Sequence, residues 1–154
     1  MKLKEELLKI ADCFEQFGID YALCGGLAVV VHGYPRLTKD IDILIRPEEL
    51  DRACAQLAKI EYDLEAGTFR FNQGTSKESL LFRVSRAVGT ELITLDLMLV
   101  GPVFESVWAD RELIQVGAQR LKVVSKNGLI SMKEVAGRPQ DLADIDALRK
   151  LENQ

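Results

Sequence analysis

The segment GGLAVVVHGYPRLTKDIDILI, residues 25–45, carries most of the structural information in this chain. Two glycines precede an apolar stretch that predicts a helix from about Leu27 to His32. The segment ends in DIDILI, residues 40–45, which predicts a strand. Residues two apart on a strand point to the same face, so Asp40 and Asp42 would lie ~6.5–7 Å apart on one face. Two like charges among apolar residues are unfavourable without a counter-charge, and Mg²⁺ favours hard carboxylate oxygens.

A second acidic strand is predicted from LITLDLMLV, residues 92–100. One face carries only aliphatic residues, and the other carries Thr94, Asp96 and Met98. If this strand pairs with strand 40–45, Asp96 faces the other two acids. Three carboxylates on neighbouring strands can hold two metal ions ~3.5–4 Å apart, one activating a hydroxyl and one binding nucleotide phosphates. The alternative is that the acids serve turns and ion pairs.

The glycine pair and the loop after the helix are candidates for phosphate binding. Gly25 and Gly26 separate a predicted strand, residues 21–24, from the helix, which leaves backbone N–H groups free to face a triphosphate. Arg36 and Thr38 approach the acidic strand and would contact either phosphate or their own loop. His32 has no partner for a catalytic triad, so we predict a structural role for it.

The C-terminal part combines a lysine with two acids. Ser125 is a predicted N-cap for a helix to about Ala136, which places Lys133 on the inner face with Leu129. Asp141 and Asp144 follow in the first turns of the last helix, where acids favour the helix dipole. Two interpretations stay open: ion pairs that lock the last two helices together, or a Lys133 that binds nucleotide phosphates and is oriented by an acid.

Composition places the chain among ordinary cytoplasmic proteins. The 154 residues carry a net charge of −4, so no extended DNA-binding surface is expected. No apolar run reaches the ~20 residues of a membrane span, and residues 1–10 lack the apolar core of a signal peptide. The three cysteines are predicted to be reduced thiols. Further patterns predict helices at 3–17, 47–60 and 104–108, strands at 69–71, 80–85, 113–116 and 120–124, and a last helix carrying Leu142, Ile145, Leu148 and Leu151. This order indicates one α/β (α+β) domain over residues 1–154, a mixed sheet flanked by helices.

The quoted residues resemble a known family. Gly25-Gly26, Gly33, Arg36, Thr38, Asp40 and Asp42 are similar to the first motif of the DNA polymerase β-like nucleotidyltransferase superfamily. Asp96 resembles that family's third carboxylate. Residues 130–144, which include Lys133, resemble the prokaryotic branch of AbiEii-type toxins and minimal nucleotidyltransferases. One departure is Gly26, because this position is often serine in the superfamily.

The resemblance implies a function. It implies a nucleotidyltransferase fold and an enzyme that moves a nucleoside monophosphate from a triphosphate such as ATP to an acceptor hydroxyl on tRNA, protein or a small molecule. Asp40, Asp42 and Asp96 would bind two Mg²⁺ ions, with Mn²⁺ as an alternative, and Gly25, Gly26, Arg36, Thr38 and Lys133 would contact the nucleotide. A role in a toxin–antitoxin or phage-defence system, with a cognate partner protein, follows from the same resemblance. The alternatives are a catalytically silent nucleotide- or partner-binding module, and a domain whose acids only form ion pairs.

Overall fold

The computed structural model describes residues 2–152 and contains one mixed sheet with helices around it. None of the helices within those residues combines the length and apolar character that crossing a bilayer requires. The helices are α1 Lys2–Gln16, α2 Gly25–Val31, α3 Leu50–Ala58, α4 Glu105–Ala109, α5 Lys126–Ala136 and α6 Pro139–Glu152. The strands are β1 Ala22–Cys24, β2 Asp40–Ile45, β3 Leu64–Phe71, β4 Ser79–Val88, β5 Glu91–Leu99, β6 Glu112–Val116 and β7 Gln119–Val123.

The seven strands lie in the order β3-β4-β5-β2-β1-β7-β6. Strands β2 and β5 pair in parallel, as do β1 and β7, and the other neighbours are antiparallel. The parallel pair β2/β5 lies in the middle of the sheet, so the two strands that carry the aspartates are neighbours. This confirms the predicted mixed sheet flanked by helices.

The two faces of the sheet have different surroundings. On β5 the alternate residues Ile93, Leu95 and Leu97 are buried, which fits an aliphatic face packed in the core. Helix α1 lies on that side, because its buried Glu6 accepts a hydrogen bond of 2.8 Å from Arg86 of β4. Arg83 is three residues away on the same strand and points to the opposite face, which is the face that also carries Asp96.

Local signals set the ends of α5. The Ser125 hydroxyl accepts a hydrogen bond of 3.0 Å from the Gly128 N–H, as expected of an N-cap. Gly137 has φ 66°, a left-handed conformation that ends the helix with little strain because glycine lacks a Cβ. Helix α6 begins two residues later, so Lys133 stays close to the first turns of α6.

Several boundaries differ from the sequence prediction. Helix α2 begins at Gly25 and not at Leu27, and strand β3 covers eight residues where only 69–71 were expected. The helix predicted at 47–60 starts as a 3-10 turn over Pro47–Glu49 and ends at Ala58. The aliphatic residues named on the last helix differ in exposure: Leu142 is 59% exposed, whereas Ile145 and Leu148 are buried.

Candidate active site

Three aspartates meet on one face of the central strands. Asp42 of β2 lies directly opposite Asp96 of β5 in the parallel register, and Asp40 lies two residues before Asp42. Residues two apart on a strand share a face, so all three side chains project from the same side of the sheet. The strand pairing expected from the sequence is therefore present.

The electrostatics of the cluster are unfavourable. Burial, and then the nearby charges of Asp96 and Asp40, raise the pKa of Asp42 from its ordinary value of 3.8 to about 7. Burial and the charge of Asp96 also raise the pKa of Asp40. The ion pairs formed among residues 2–152 include neither Asp40 nor Asp42. The interpretation in which these two acids serve ion pairs therefore has no structural support.

Asp96 differs because Arg83 neutralises it. The Arg83 Nε and Nη2 atoms donate to the two carboxylate oxygens of Asp96 at 2.8 and 3.0 Å. The guanidinium also lies over the Phe69 ring, 5.0 Å from its centroid. Arg83 was not among the residues predicted from the sequence. What indicates its role is its position in the β4–β5 hairpin, where it pairs with Asp96.

The glycine pair is shaped by close packing. Gly25 has φ 67°, and a Cβ at this position would overlap the carboxylate of Asp42. A Cβ on Gly26 would overlap the Arg36 guanidinium and approach the Thr38 hydroxyl to 2.8 Å. The absence of serine at position 26 thus has a physical reason, because the Arg36 side chain fills that space. Thr38 donates to the Asp40 carbonyl oxygen at 3.4 Å and holds the loop beside the acids.

Lys133 is buried between the last two helices. Its Nζ atom lies 2.8 Å from Asp144 Oδ2 and 3.8 Å from Asp141 Oδ1. Asp144 is also paired with Arg36, and Asp141 with Arg138. These contacts are the ion pairs between α5 and α6 that the first interpretation predicts. They also fix the orientation of Lys133 by acids, as the second interpretation requires. Both interpretations therefore remain compatible with the geometry.

Two other residues near the site have structural contacts. The Nε2 atom of His32 is 2.8 Å from the Val124 carbonyl oxygen, consistent with the structural role predicted for it. Cys24 pairs with Asp42 across the β1–β2 ladder and is buried, and burial raises the pKa of its thiol. All three cysteines are free.

A cavity of about 670 Å³ connects these groups. Its lining includes the glycine pair, the three acids, the loop with Arg36 and Thr38, and Lys133. All the residues predicted to bind metal or nucleotide therefore line one cavity. Such a volume is in the range of pockets that bind small molecules.

The donor set fits a hard divalent cation. Within residues 2–152, no three His, Cys, Asp or Glu side chains stand close enough together to enclose an ion. Arg83 engages both oxygens of Asp96, which explains why the third carboxylate turns toward β4. Asp40 and Asp42, which take part in no ion pair among residues 2–152, supply oxygen ligands, and Mg²⁺ is usually held by one or two carboxylates with the rest from water and phosphate. On that basis the residues present fit Mg²⁺.

Known structures of the same architecture identify the fold. The lincosamide antibiotic adenylyltransferase LnuA with bound lincomycin has a TM-score of 0.67 at 20% identity, and the match covers 96% of each chain. ANT(2″)-Ia in complex with adenylyl-2″-tobramycin has a TM-score of 0.64 at 13% identity, covering 99% of this chain and 94% of that one. This is the nucleotidyltransferase fold. TM1012 of Thermotoga maritima is similar to the same degree, with a TM-score of 0.64, 17% identity, and 99% and 93% coverage.

These comparisons establish the fold of the chain but not its family. No protein-family model matches the chain, and no curated protein matches it. At 13–20% identity the structural matches establish the fold, and the reaction has to be argued from the site. The resemblance to the AbiEii-type branch stays a prediction, since these three structures do not bear on it.

Proposed function

We propose that this protein is a nucleotidyltransferase that moves a nucleoside monophosphate from a nucleoside triphosphate to an acceptor hydroxyl. One observation carries the proposal. Two carboxylates that take part in no ion pair among residues 2–152, Asp40 and Asp42, lie beside Asp96 on one sheet face, within a cavity that also contains the Gly25-Gly26 pair. The nucleotidyltransferase fold of the chain supports it.

The acids define the reacting centre. Asp40, Asp42 and Asp96 would hold Mg²⁺, two ions by family resemblance or Mn²⁺ in their place, which when bound would neutralise phosphate charge and lower the pKa of the acceptor hydroxyl. The acceptor oxygen forms a bond to the α-phosphorus, the bond from that phosphorus to the β-phosphate oxygen breaks, and pyrophosphate leaves. Asp96 would take up the hydroxyl proton, directly or through water, once Arg83 releases one of its oxygens.

The residues that would hold the triphosphate lie directly beside the acids. Because Gly25 and Gly26 have no side chain, the Asp42 carboxylate and the Arg36 guanidinium lie close against their backbone, at the place where the triphosphate would bind. Arg36 lies over Gly26, and Thr38 fixes the loop that carries it. Lys133 completes this set. Its ion pairs with buried acids hold the Nζ atom in place, so that it meets a phosphate without first having to be ordered.

The acceptor class remains to be assigned among tRNA, protein and small molecules. LnuA binds lincomycin, and ANT(2″)-Ia binds adenylyl-2″-tobramycin, so chains of this size and fold bind antibiotic-sized molecules. That favours a small-molecule acceptor. A role in a toxin–antitoxin or phage-defence system, with a partner protein, is the alternative biological setting and would require the larger acceptors.

A second candidate function is a silent nucleotide- or partner-binding module of the same fold. It is favoured by one observation: both oxygens of Asp96 are engaged by Arg83. If this pair persists with nucleotide bound, Asp96 cannot take part as freely in metal binding, and binding without turnover would result.

Calorimetry with each of the four nucleoside triphosphates, with and without Mg²⁺, tests the proposal. We expect the wild-type protein to bind one triphosphate in a Mg²⁺-dependent manner and to release pyrophosphate when a competent acceptor is added. The double substitution Asp40→Asn with Asp42→Asn should abolish binding, because it removes the charge that attracts the cation. The matched control is Asp51→Asn with Asp63→Asn, two exposed aspartates outside the cavity.

The outcomes separate the candidates. Binding that the double substitution removes, followed by pyrophosphate release, supports the enzyme. Binding without pyrophosphate release across nucleotides and acceptors would favour the silent module. No binding at millimolar Mg²⁺ and nucleotide by the folded wild-type protein would contradict both.

A further inference from the structure

One part of the cavity has a different chemistry from the phosphate side. Three apolar side chains on the strands, Phe71, Leu81 and Met98, form what we call the apolar floor. Leu81 of β4 pairs with Met98 of β5. On its other side Leu81 pairs with Phe69 of β3, and Phe71 is two residues further along β3 on the same face. Phe71 is 46% exposed, so part of its ring is accessible to a ligand in the cavity.

The apolar floor lies immediately beside the reacting centre. Met98 is two residues beyond Asp96 on the same face of β5, and Leu81 is two residues before Arg83 on β4. Adjacent positions on one strand face are separated by ~6.5–7 Å. A molecule whose ring lies on the floor would therefore bring a substituent within reach of Asp96.

The charges around the floor restrict what binds there. The nearest cation, Arg83, uses Nε and Nη2 on Asp96 and leaves Nη1 without a carboxylate partner. The remaining acids of the cavity lining, Asp141 and Asp144, are already paired with Lys133, Arg138 or Arg36. No carboxylate of the cavity outside the metal cluster is free to receive an ammonium group. The other polar groups at the floor, Asn72 and Ser79, are uncharged.

We propose that the apolar floor binds the acceptor, and that the acceptor is a small hydroxyl compound with an apolar ring or alkyl part and without a cluster of ammonium groups. This inference rests on the proposed nucleotidyl transfer and specifies its second substrate. Burial of the apolar part against the floor supplies binding energy remote from the reacting hydroxyl and positions that hydroxyl at Asp96. An RNA acceptor fits less well, because four of the five cationic side chains in the cavity lining are committed to acids, namely Arg36, Arg83, Lys133 and Arg138, and the exposed Lys39 does not form a basic track by itself.

The test uses the fluorescent anionic probe 8-anilinonaphthalene-1-sulfonate on protein saturated with Mg²⁺ and a non-hydrolysable analogue of the nucleoside triphosphate that binds in the calorimetry. We expect saturable one-to-one binding that Phe71→Ser and Met98→Gln each weaken by about tenfold. The matched control is Leu113→Ser, because Leu113 is a similarly exposed apolar residue on β6, at the other edge of the sheet. It should leave probe binding unchanged. Calorimetric binding of the Mg²⁺–nucleotide complex should be the same in all four proteins.

Competition against the probe tests the acceptor class. Phenyl β-D-glucopyranoside and methyl β-D-glucopyranoside carry the same hydroxyls, and we expect the phenyl compound to compete at least about tenfold better because its ring is buried. Kanamycin, a polycation, should compete poorly. The inference would be overturned by equal probe affinity in both floor variants, by kanamycin or a single-stranded RNA competing best, or by a dimer that Phe71→Ser dissociates. A wild-type protein that fails to bind Mg²⁺–nucleotide would instead contradict the proposed function, whatever the probe shows.

Discussion

Replacing Asp42 by asparagine should stabilise the metal-free protein, which is the opposite of the usual effect of a substitution in a buried site. Asp42 lies opposite Asp96 and two residues after Asp40, and within the described part of the chain it forms no ion pair. Asparagine keeps nearly the same shape and removes the charge. The substitution thus relieves repulsion and desolvation while leaving the packing around Gly25 in place.

The pH dependence gives the size of the effect. The pKa of Asp42 is about 7 in the folded protein, whereas the ordinary value of 3.8 applies to the unfolded chain. Between these values the folded state holds a proton that the unfolded state has lost, so the free energy of unfolding falls as pH rises. At 1.36 kcal/mol for each pH unit, this difference corresponds to a loss of about 4 kcal/mol at neutral to alkaline pH, of which about 3 kcal/mol falls between about pH 5 and pH 8.

Urea denaturation in EDTA, followed by fluorescence of the single tryptophan Trp108, measures this directly. The wild-type protein should lose stability from about pH 5 to pH 8 relative to Asp42→Asn, and the variant should be the more stable of the two at about pH 8. Asp63→Asn, at an exposed aspartate, controls for the general effect of removing one negative charge. With Mg²⁺ and nucleotide present the order should reverse, because only the wild-type protein gains binding energy. Equal pH dependence in wild type and variant, or a variant that is less stable at about pH 8, would refute this account of the cluster.

Two further substitutions test packing in the site, both by urea denaturation. Gly25→Ala and Gly18→Ala occur at nearly the same positive φ, 67° and 65°, but only at Gly25 would the new Cβ overlap Asp42, so this variant should lose about 1–3 kcal/mol more than its control. Equal losses would mean that the backbone conformation alone matters. Lys133→Met should cost about 3 kcal/mol, because it leaves buried acids short of a cation, whereas Lys150→Met on the exposed face of α6 should change stability little. A loss at Lys133 no larger than that at Lys150 would show that the buried ion pairs contribute nothing to stability.

The central strands could be predicted from sequence because their patterns are strong. The alternation in residues 92–100 separates an aliphatic face from one with Asp96, and strand 40–45 was predicted with its observed limits. The pairing of these strands was a hypothesis without an assigned direction, since nothing in either pattern fixes which strands are neighbours. It rested on the need of three acids for a common partner, and the register of Asp42 with Asp96 bears it out.

The pairing of Arg83 with Asp96 depends on register, and the sequence contained a signal that was not used. Val88 pairs with Glu91 around a two-residue turn at Gly89-Thr90, where Gly89 has φ 62°. Five residues before Val88 is Arg83, and five residues after Glu91 is Asp96, so these two residues are predicted to pair. The exposure of Leu142 could not be found in this way, because helical spacing alone does not say how far α6 lies from its neighbours.

The distribution of charge in the cavity bears on how a nucleotide enters it. Arg36, Arg83 and Lys133 are each paired with an aspartate, whereas Asp40 and Asp42 are not. A bare triphosphate would have to compete with carboxylates for every one of these cations, and it would add negative charge beside two acids that already repel each other. A complex of triphosphate with Mg²⁺ brings the missing cation to Asp40 and Asp42 and offers phosphate oxygens to the basic side chains in the same event. Under the proposed function, metal and nucleotide would therefore bind together, because neither alone would satisfy the charges that the fold brings to this face.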